Sequence, residues 1–363
     1  MFYYLLYPIS KHIFGFNVFR YISFRAAGAA VTALLISFLL GPYLIRKLRK
    51  KQIGEEIRPD GPASHLSKQG TPTFGGILIL ASTVIPLVLW CRLDNIYVQL
   101  ILVATIWAAA IGFLDDYNKV IKKMPKGLIG RYKILGQVLL GLFVGSVLYF
   151  HPPVPELRSV TMLPFIKNYV IDFGIFYVPI VVFIITATSN SANLTDGMDG
   201  LCIGLSGIAA AAFGVIAYIT GRVDWSQYLN IFYLPGAGEL AIYCAILVFA
   251  CLGYLWWNAF PSQIFMGDTG SLSLGASLAT LAILIKKELL LPIICGIFLL
   301  ESLSVIIQVF VFKRTGKRVF RMAPIHHHWE VGDKPLAEPK IVVRFWIIGI
   351  LLVLISLTTF KVR

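Results

Sequence analysis

Five aspartates stand at the ends of apolar runs: Asp115 and Asp116, Asp196 and Asp199, and Asp268. The segments 190–200 and 258–270, which hold three of them, contain no lysine or arginine, whereas segments 46–72, 115–133 and 313–341 are rich in both. A lone aspartate in such a place is as readily a helix cap, and Gly197, Gly200, Gly267 and Gly270 suit turns. A crowd of unpaired acids is harder to explain that way, because like charges repel and need a cation between them. Mg²⁺ takes oxygen ligands and binds through one or two carboxylates together with substrate phosphates. The surrounding basic segments would draw in an anion. The chemistry expected from the residues alone is therefore metal-assisted work on phosphates, at one face of a membrane.

The spacing refines this expectation. Asp115 and Asp116 are adjacent and cannot share a helix face, so one points into a site while the other turns toward a helix or a lysine. Asp196 and Asp199 are three apart and would align on one helical turn. Asn193 and Asn258 are amides beside these acids, able to bind sugar, uracil or phosphate, or equally to cap helices. His326, His327 and His328 form a run that could suggest zinc. Adjacent histidines rarely reach one tetrahedral ion, and no cysteine accompanies them. A cluster facing phosphate, sugar or nucleotide is the better reading, since imidazole donates hydrogen bonds and gains charge near neutral pH. Lys68 opens the stretch Lys-Gln-Gly-Thr-Pro-Thr-Phe-Gly-Gly at 68–76, whose backbone could cradle an anion but lacks P-loop spacing. Glu301 lies inside an apolar run, where an acid serves either function or a hydrogen bond between helices.

The elements that must position these residues are membrane helices. Of 363 residues, 58% are hydrophobic and 14% charged, against about 25% charged in soluble domains. Ten apolar segments are expected as helices, near 22–45, 73–91, 96–114, 134–151, 174–189, 201–220, 238–257, 271–286, 289–312 and 342–360. The fold class is thus all-α and polytopic, one integral membrane domain over 1–363. In a ten-helix arrangement the three basic loops share one side, which the positive-inside rule assigns to the cytoplasm. Both termini then face the periplasm, and the aspartates gather on the cytoplasmic face.

The net charge of +14 fits topology and membrane lipid headgroups. Nucleic acid is not an expected partner, because no basic-aromatic surface pattern is present. Cys91, Cys202, Cys244, Cys251 and Cys295 fall in or beside apolar segments and read as small hydrophobes, not as disulfides or metal ligands. No removable signal peptide is expected.

Several motifs together resemble the polyprenyl-phosphate N-acetylhexosamine-1-phosphate transferases. They are Gly-Phe-Leu-Asp-Asp-Tyr at 112–117, Asn-Leu-Thr-Asp-Gly-Met-Asp-Gly-Leu at 193–201, Asn258 with Phe-Met-Gly-Asp-Thr-Gly-Ser at 265–271, and Ala-Pro-Ile-His-His-His at 323–328. The triple histidine and Gly-Thr-Pro-Thr-Phe-Gly-Gly at 70–76 are similar to the branch of that family acting on MurNAc-pentapeptide. The resemblance implies a bacterial inner-membrane enzyme that combines UDP-MurNAc-pentapeptide with undecaprenyl phosphate, giving lipid I and UMP, with Mg²⁺ required. It implies that Asp268 is the Mg²⁺ ligand and that Asp115, with Asp116 beside it, contacts or deprotonates the lipid phosphate. It further implies that Asn193, Asp196, Asp199 and Asn258 bind nucleotide and order the site. His326, His327 and His328 would meet phosphates or sugar, and Lys68, Lys119 and Lys126 would add positive charge. A sister enzyme using UDP-GlcNAc shares the acids, and an ion-coupled transporter is the rival from another class. Transporters bind near the bilayer midplane, often in repeated halves, and neither feature is found here. Oligomeric state is left open, a homodimer among the alternatives.

Overall fold

The computed structural model describes residues 1–51, 68, 70–124, 127–166, 169–332 and 334–361. Each of the ten expected segments contains a helix: α1 (Ile22–Lys50), α2 (Gly76–Trp90), α3 (Ile96–Asp116), α4 (Gly130–Phe150), α5 (Tyr177–Thr195), α6 (Leu201–Thr220), α7 (Glu239–Asn258), α8 (Gly267–Leu284), α9 (Gly296–Thr315) and α10 (Glu338–Thr358). Among the described residues, eight of these are long and apolar enough to cross a membrane. The other two are α2 and α8. With 15 residues, α2 rises about 22 Å, short of a hydrocarbon core of about 30 Å. The expected segment 289–312 is divided at Cys295 into Leu291–Ile294 and α9.

Helix ends depart from expectation where function is concerned. The fifth helix runs on to Thr195 and the eighth begins at Gly267, so Asn193 and Asp268 sit on helical turns rather than in loops. Hydropathy alone ends a helix at the last apolar residue. Here the polar turns persist because they pack on other helices. Features outside the expected segments include a short antiparallel hairpin of β1 (Val160–Met162) and β2 (Val170–Asp172), a short helix Val223–Tyr228, and a wide turn over Tyr117–Ile121 that extends α3.

The centre of the assembly is α8, buried at every position from Asp268 to Leu284. Its sequence alternates small residues with leucine, which lets α3, α5, α2 and α6 approach closely. Gly112 of α3 lies directly against the carbonyl of Asp268, and a Cβ there would overlap it. Buried hydroxyls knit the contact: Thr105 Oγ1 lies 3.0 Å from Ser277 Oγ and 2.8 Å from the Tyr243 hydroxyl, and Ser189 donates to the Leu272 carbonyl at 3.0 Å. Toward the other end of the bundle, Arg25 of α1 makes a buried fork-like pair with Glu239 of α7, at 2.7 and 2.5 Å.

Candidate active site

The site is assembled from helix ends. Asp115 and Asp116 close α3, and the next turn carries Lys119. Lys133 lies in the first turn of α4, in phase with Gln137, Leu140 and Val144 on its buried face. Asp268 opens α8 and Asn193 sits near the end of α5.

The two adjacent acids have separate partners, as their spacing required. Asp116 accepts the backbone N–H of Asp268 at 3.0 Å, the backbone N–H of Thr269 at 2.8 Å, and the Thr269 hydroxyl at 2.6 Å. The residue at the N-cap of α8 is Met266, which makes no side-chain cap. The carboxylate missing from that helix start is supplied by α3, where it meets unpaired amides and the positive end of the helix dipole. Asp115 is fully buried and faces cations. Its Oδ2 lies 2.5 Å from Lys119 Nζ, and its Oδ1 lies 2.8 Å from Lys133 Nζ while accepting the Leu128 N–H at 2.7 Å.

Lys133 reaches Asp268 as well, at 2.6 Å, and Lys119 lies 3.5 Å from the other Asp268 oxygen. Asn193 holds that same oxygen at 3.1 Å and the Ser271 hydroxyl at 2.9 Å. Three carboxylates thus face two ammonium groups, leaving one negative charge if all are ionised. One oxygen from each of Asp115, Asp116 and Asp268 lies within 4.8 Å of the others. These are hard oxygen donors suited to Mg²⁺. Asp268 is the most exposed of the three, 8% against 0% and 4%, and so is the most accessible to an ion arriving with a phosphate.

A second group surrounds Asp199. Its Oδ1 pairs with Lys68 at 2.8 Å and its Oδ2 accepts the Ser262 N–H at 3.0 Å. Glu338 takes Lys68 at 2.7 Å and the Asp199 N–H at 2.6 Å. Asn258 accepts the Gly200 N–H at 3.0 Å and donates to the Ile264 carbonyl at 2.9 Å. Asp199 and Asn258 therefore tie the 196–200 turn to the 258–264 turn. Asp196 caps the end of α5 beside that turn.

The histidines start a short helix, His326–Glu330. His326 is buried against Glu301 and His327 Nδ1 meets Glu330 at 2.8 Å. The ring nitrogens Nε2 of both histidines face Gly197, whose bare backbone allows this approach. His328 turns away, accepting the Arg321 N–H at 3.2 Å beside Phe320. The segment 193–200 is thus shared: Asn193 serves the acidic centre, Gly197 meets the histidines and Asp199 holds Lys68. Lys126 lies outside the described residues. Lys133 was not singled out in the sequence, although its helical phase with Gln137 marks it as inward-facing.

Residues 98–286 match the family described as Glycosyl transferase family 4. The chain is similar over its whole length, and theirs, to proteins named phospho-N-acetylmuramoyl-pentapeptide-transferase. Identity is 49% to that of Thermodesulfovibrio yellowstonii, 50% to that of Citrifermentans bemidjiense and 50% to that of Chloroherpeton thalassium.

Proposed function

The chain belongs to the phospho-N-acetylmuramoyl-pentapeptide-transferases of glycosyl transferase family 4, multi-pass transferases of the bacterial inner membrane, and from that premise we propose how its residues carry the reaction. UDP-MurNAc-pentapeptide and undecaprenyl phosphate react to give lipid I and UMP, in one membrane domain over 1–363 with its site on the cytoplasmic face and both termini periplasmic. The observation that carries this reading is the convergence of Asp115, Asp116 and Asp268 with Lys119 and Lys133 at the ends of three helices.

The acceptor phosphate oxygen attacks the β-phosphorus of the donor, and UMP departs. Such transfers depend on in-line placement and charge neutralisation. Lys119 and Lys133 each bridge two carboxylates, so either ammonium can turn to an incoming phosphate without leaving an acid unpaired. A phosphate monoester is largely dianionic at neutral pH, with a second pKa of about 6. Asp115 therefore orients the nucleophile as much as it deprotonates it. Asp116 is a positioning residue that fixes the start of α8, and Asn193 fixes the Asp268 carboxylate. Mg²⁺, held by Asp268, would supply charge neutralisation across the phosphates. Lys68, Asp196, Asp199, Asn258, His326 and His327 line or order the donor side, with His328 holding the Arg321 backbone behind them and Lys126 adding charge. Direct displacement is preferred over an aspartyl-phosphate, since a carboxylate engaged with a cation is a poor nucleophile.

The full-length likeness to phospho-N-acetylmuramoyl-pentapeptide-transferases favours MurNAc-pentapeptide over UDP-GlcNAc as donor. The test is UMP release by the purified chain from UDP-MurNAc-pentapeptide and undecaprenyl phosphate, with and without Mg²⁺, beside Asp268→Ala and a UDP-GlcNAc control. Release that needs lipid, Mg²⁺ and Asp268 supports the assignment. Release from UDP-GlcNAc alone moves the chain to the sister branch.

A further inference from the structure

Glu301 lies within the span α9, yet its side chain is completely buried rather than facing lipid. Its Oε2 lies 3.0 Å from Nδ1 of His326, also completely buried, and 3.4 Å from the His326 backbone N–H. Nδ1 and Oε2 meet by distance and not by hydrogen-bond geometry, and no lysine, arginine or other histidine lies at ion-pair distance from the carboxylate among the described residues. On the opposite side of the ring, Nε2 is buried and without a hydrogen-bond partner among the described residues. It faces Gly197, where a side chain would collide with the ring.

We propose that Glu301 is a positioning residue for the transfer reaction, holding the proton of His326 on Nδ1 so that Nε2 faces the 193–200 segment as a hydrogen-bond acceptor. A carboxylate beside one imidazole nitrogen selects the tautomer protonated there and leaves the other nitrogen as acceptor. An acceptor at that point suits a hydroxyl or N–H of the nucleotide-sugar donor and disfavours an unprotonated phosphate oxygen. This divides labour within the site: the lysines take the phosphates, and His326 takes a neutral donor group. The inference rests on the transfer reading for its consequence, but the tautomer itself does not.

The test has two arms on the full chain in detergent. In the first, ¹⁵N-histidine NMR, assigned with His326→Gln, reads the protonated nitrogen. Proton on Nδ1 and a lone-pair signature on Nε2 in the native chain are expected, with that signature lost in Glu301→Gln, whose amide can donate to Nδ1. A proton on Nε2 in the native chain, or an unchanged spectrum in Glu301→Gln, would overturn the proposal. In the second arm, Glu301→Gln is expected to lower kcat roughly tenfold or more, the scale seen when carboxylate partners of metal-ligating histidines are removed. The Glu301→Gln/His326→Gln double variant should be no slower than His326→Gln alone, and Glu301→Asp should recover part of the rate. Losses that multiply would show independent roles and sink the proposal. Absence of any transfer by the native chain would fail the transfer reading and leave the NMR result to decide the tautomer.

Discussion

Asp116 caps the helix whose first turn holds Asp268: the carboxylate ending α3 takes the backbone N–H of Asp268 at 3.0 Å and that of Thr269 at 2.8 Å. The two acids are 152 positions apart in sequence, and one sets the position of the other. Their substitution should therefore fail in different ways.

Asp116→Asn keeps the size but turns an amide N–H₂ toward amide donors. It should lower both stability, by about 0.5–2 kcal/mol as for a lost cap, and kcat, through displacement of Asp268. Asp268→Asn should abolish UMP release while leaving thermal unfolding near the native value. Thermal scans beside UMP assays separate the two. Equal stability of both variants would deny Asp116 its positioning role.

Lys133 connects Asp115 with Asp268 at 2.8 and 2.6 Å. Lys133→Ala should reduce kcat/KM by about 100-fold or more, the scale for losing one preorganised charge stabiliser. Lys133→Arg should rescue little, because a planar fork cannot replace a compact ammonium between two carboxylates. Steady-state kinetics of the three proteins check this, and near-native rates for Lys133→Ala would remove it from the site.

Chelation should stop UMP release, and restored Mg²⁺ should return it. Mg²⁺ at 100 times its Kd should also stabilise the native chain by about 2.7 kcal/mol through mass action. The stabilisation should disappear in Asp268→Ala. Unfolding curves across a Mg²⁺ titration read this without substrate, and equal stabilisation of both proteins would place the ion elsewhere.

Arg25 and Glu239 form a buried pair between α1 and α7, away from the acidic site. Arg25→Ala should destabilise the chain by about 3–5 kcal/mol, because it strands a buried carboxylate. The double change Arg25→Met/Glu239→Leu should recover much of that loss. Denaturant unfolding in mixed micelles measures both.

The helices were legible because each span must be apolar over most of its length, and the acids stood out against that background. The split between Asp115 and Asp116 was legible too, since adjacent residues diverge on a helix. The choice among basic residues was not. Lys133 is distinguished only by its phase with Gln137 on a helix whose start sits among polar residues. Lys68, Asp199 and Glu338 meet across separations of 131 to 270 positions, and local pattern holds no record of such partners. Asp199 and Asn258 were expected to bind nucleotide and order the site, and it is in tying two turns together that the structure shows them engaged. Sequence alone allows Glu301 either function or a hydrogen bond between helices, and its contact with His326 emerges only when α9 packs against the histidine turn.

The fit of α3 on α8 bears on how this site could evolve under attack. Gly112 touches the peptide carbonyl of Asp268, so even one added methyl would push on the backbone that carries that acid. With α8 enclosed on all sides, that push has no lipid-facing slack into which to relax. An inhibitor resting on this floor would meet a surface with few tolerated substitutions, and escape variants should arise instead around the rim, where side chains can change without shifting the reacting groups.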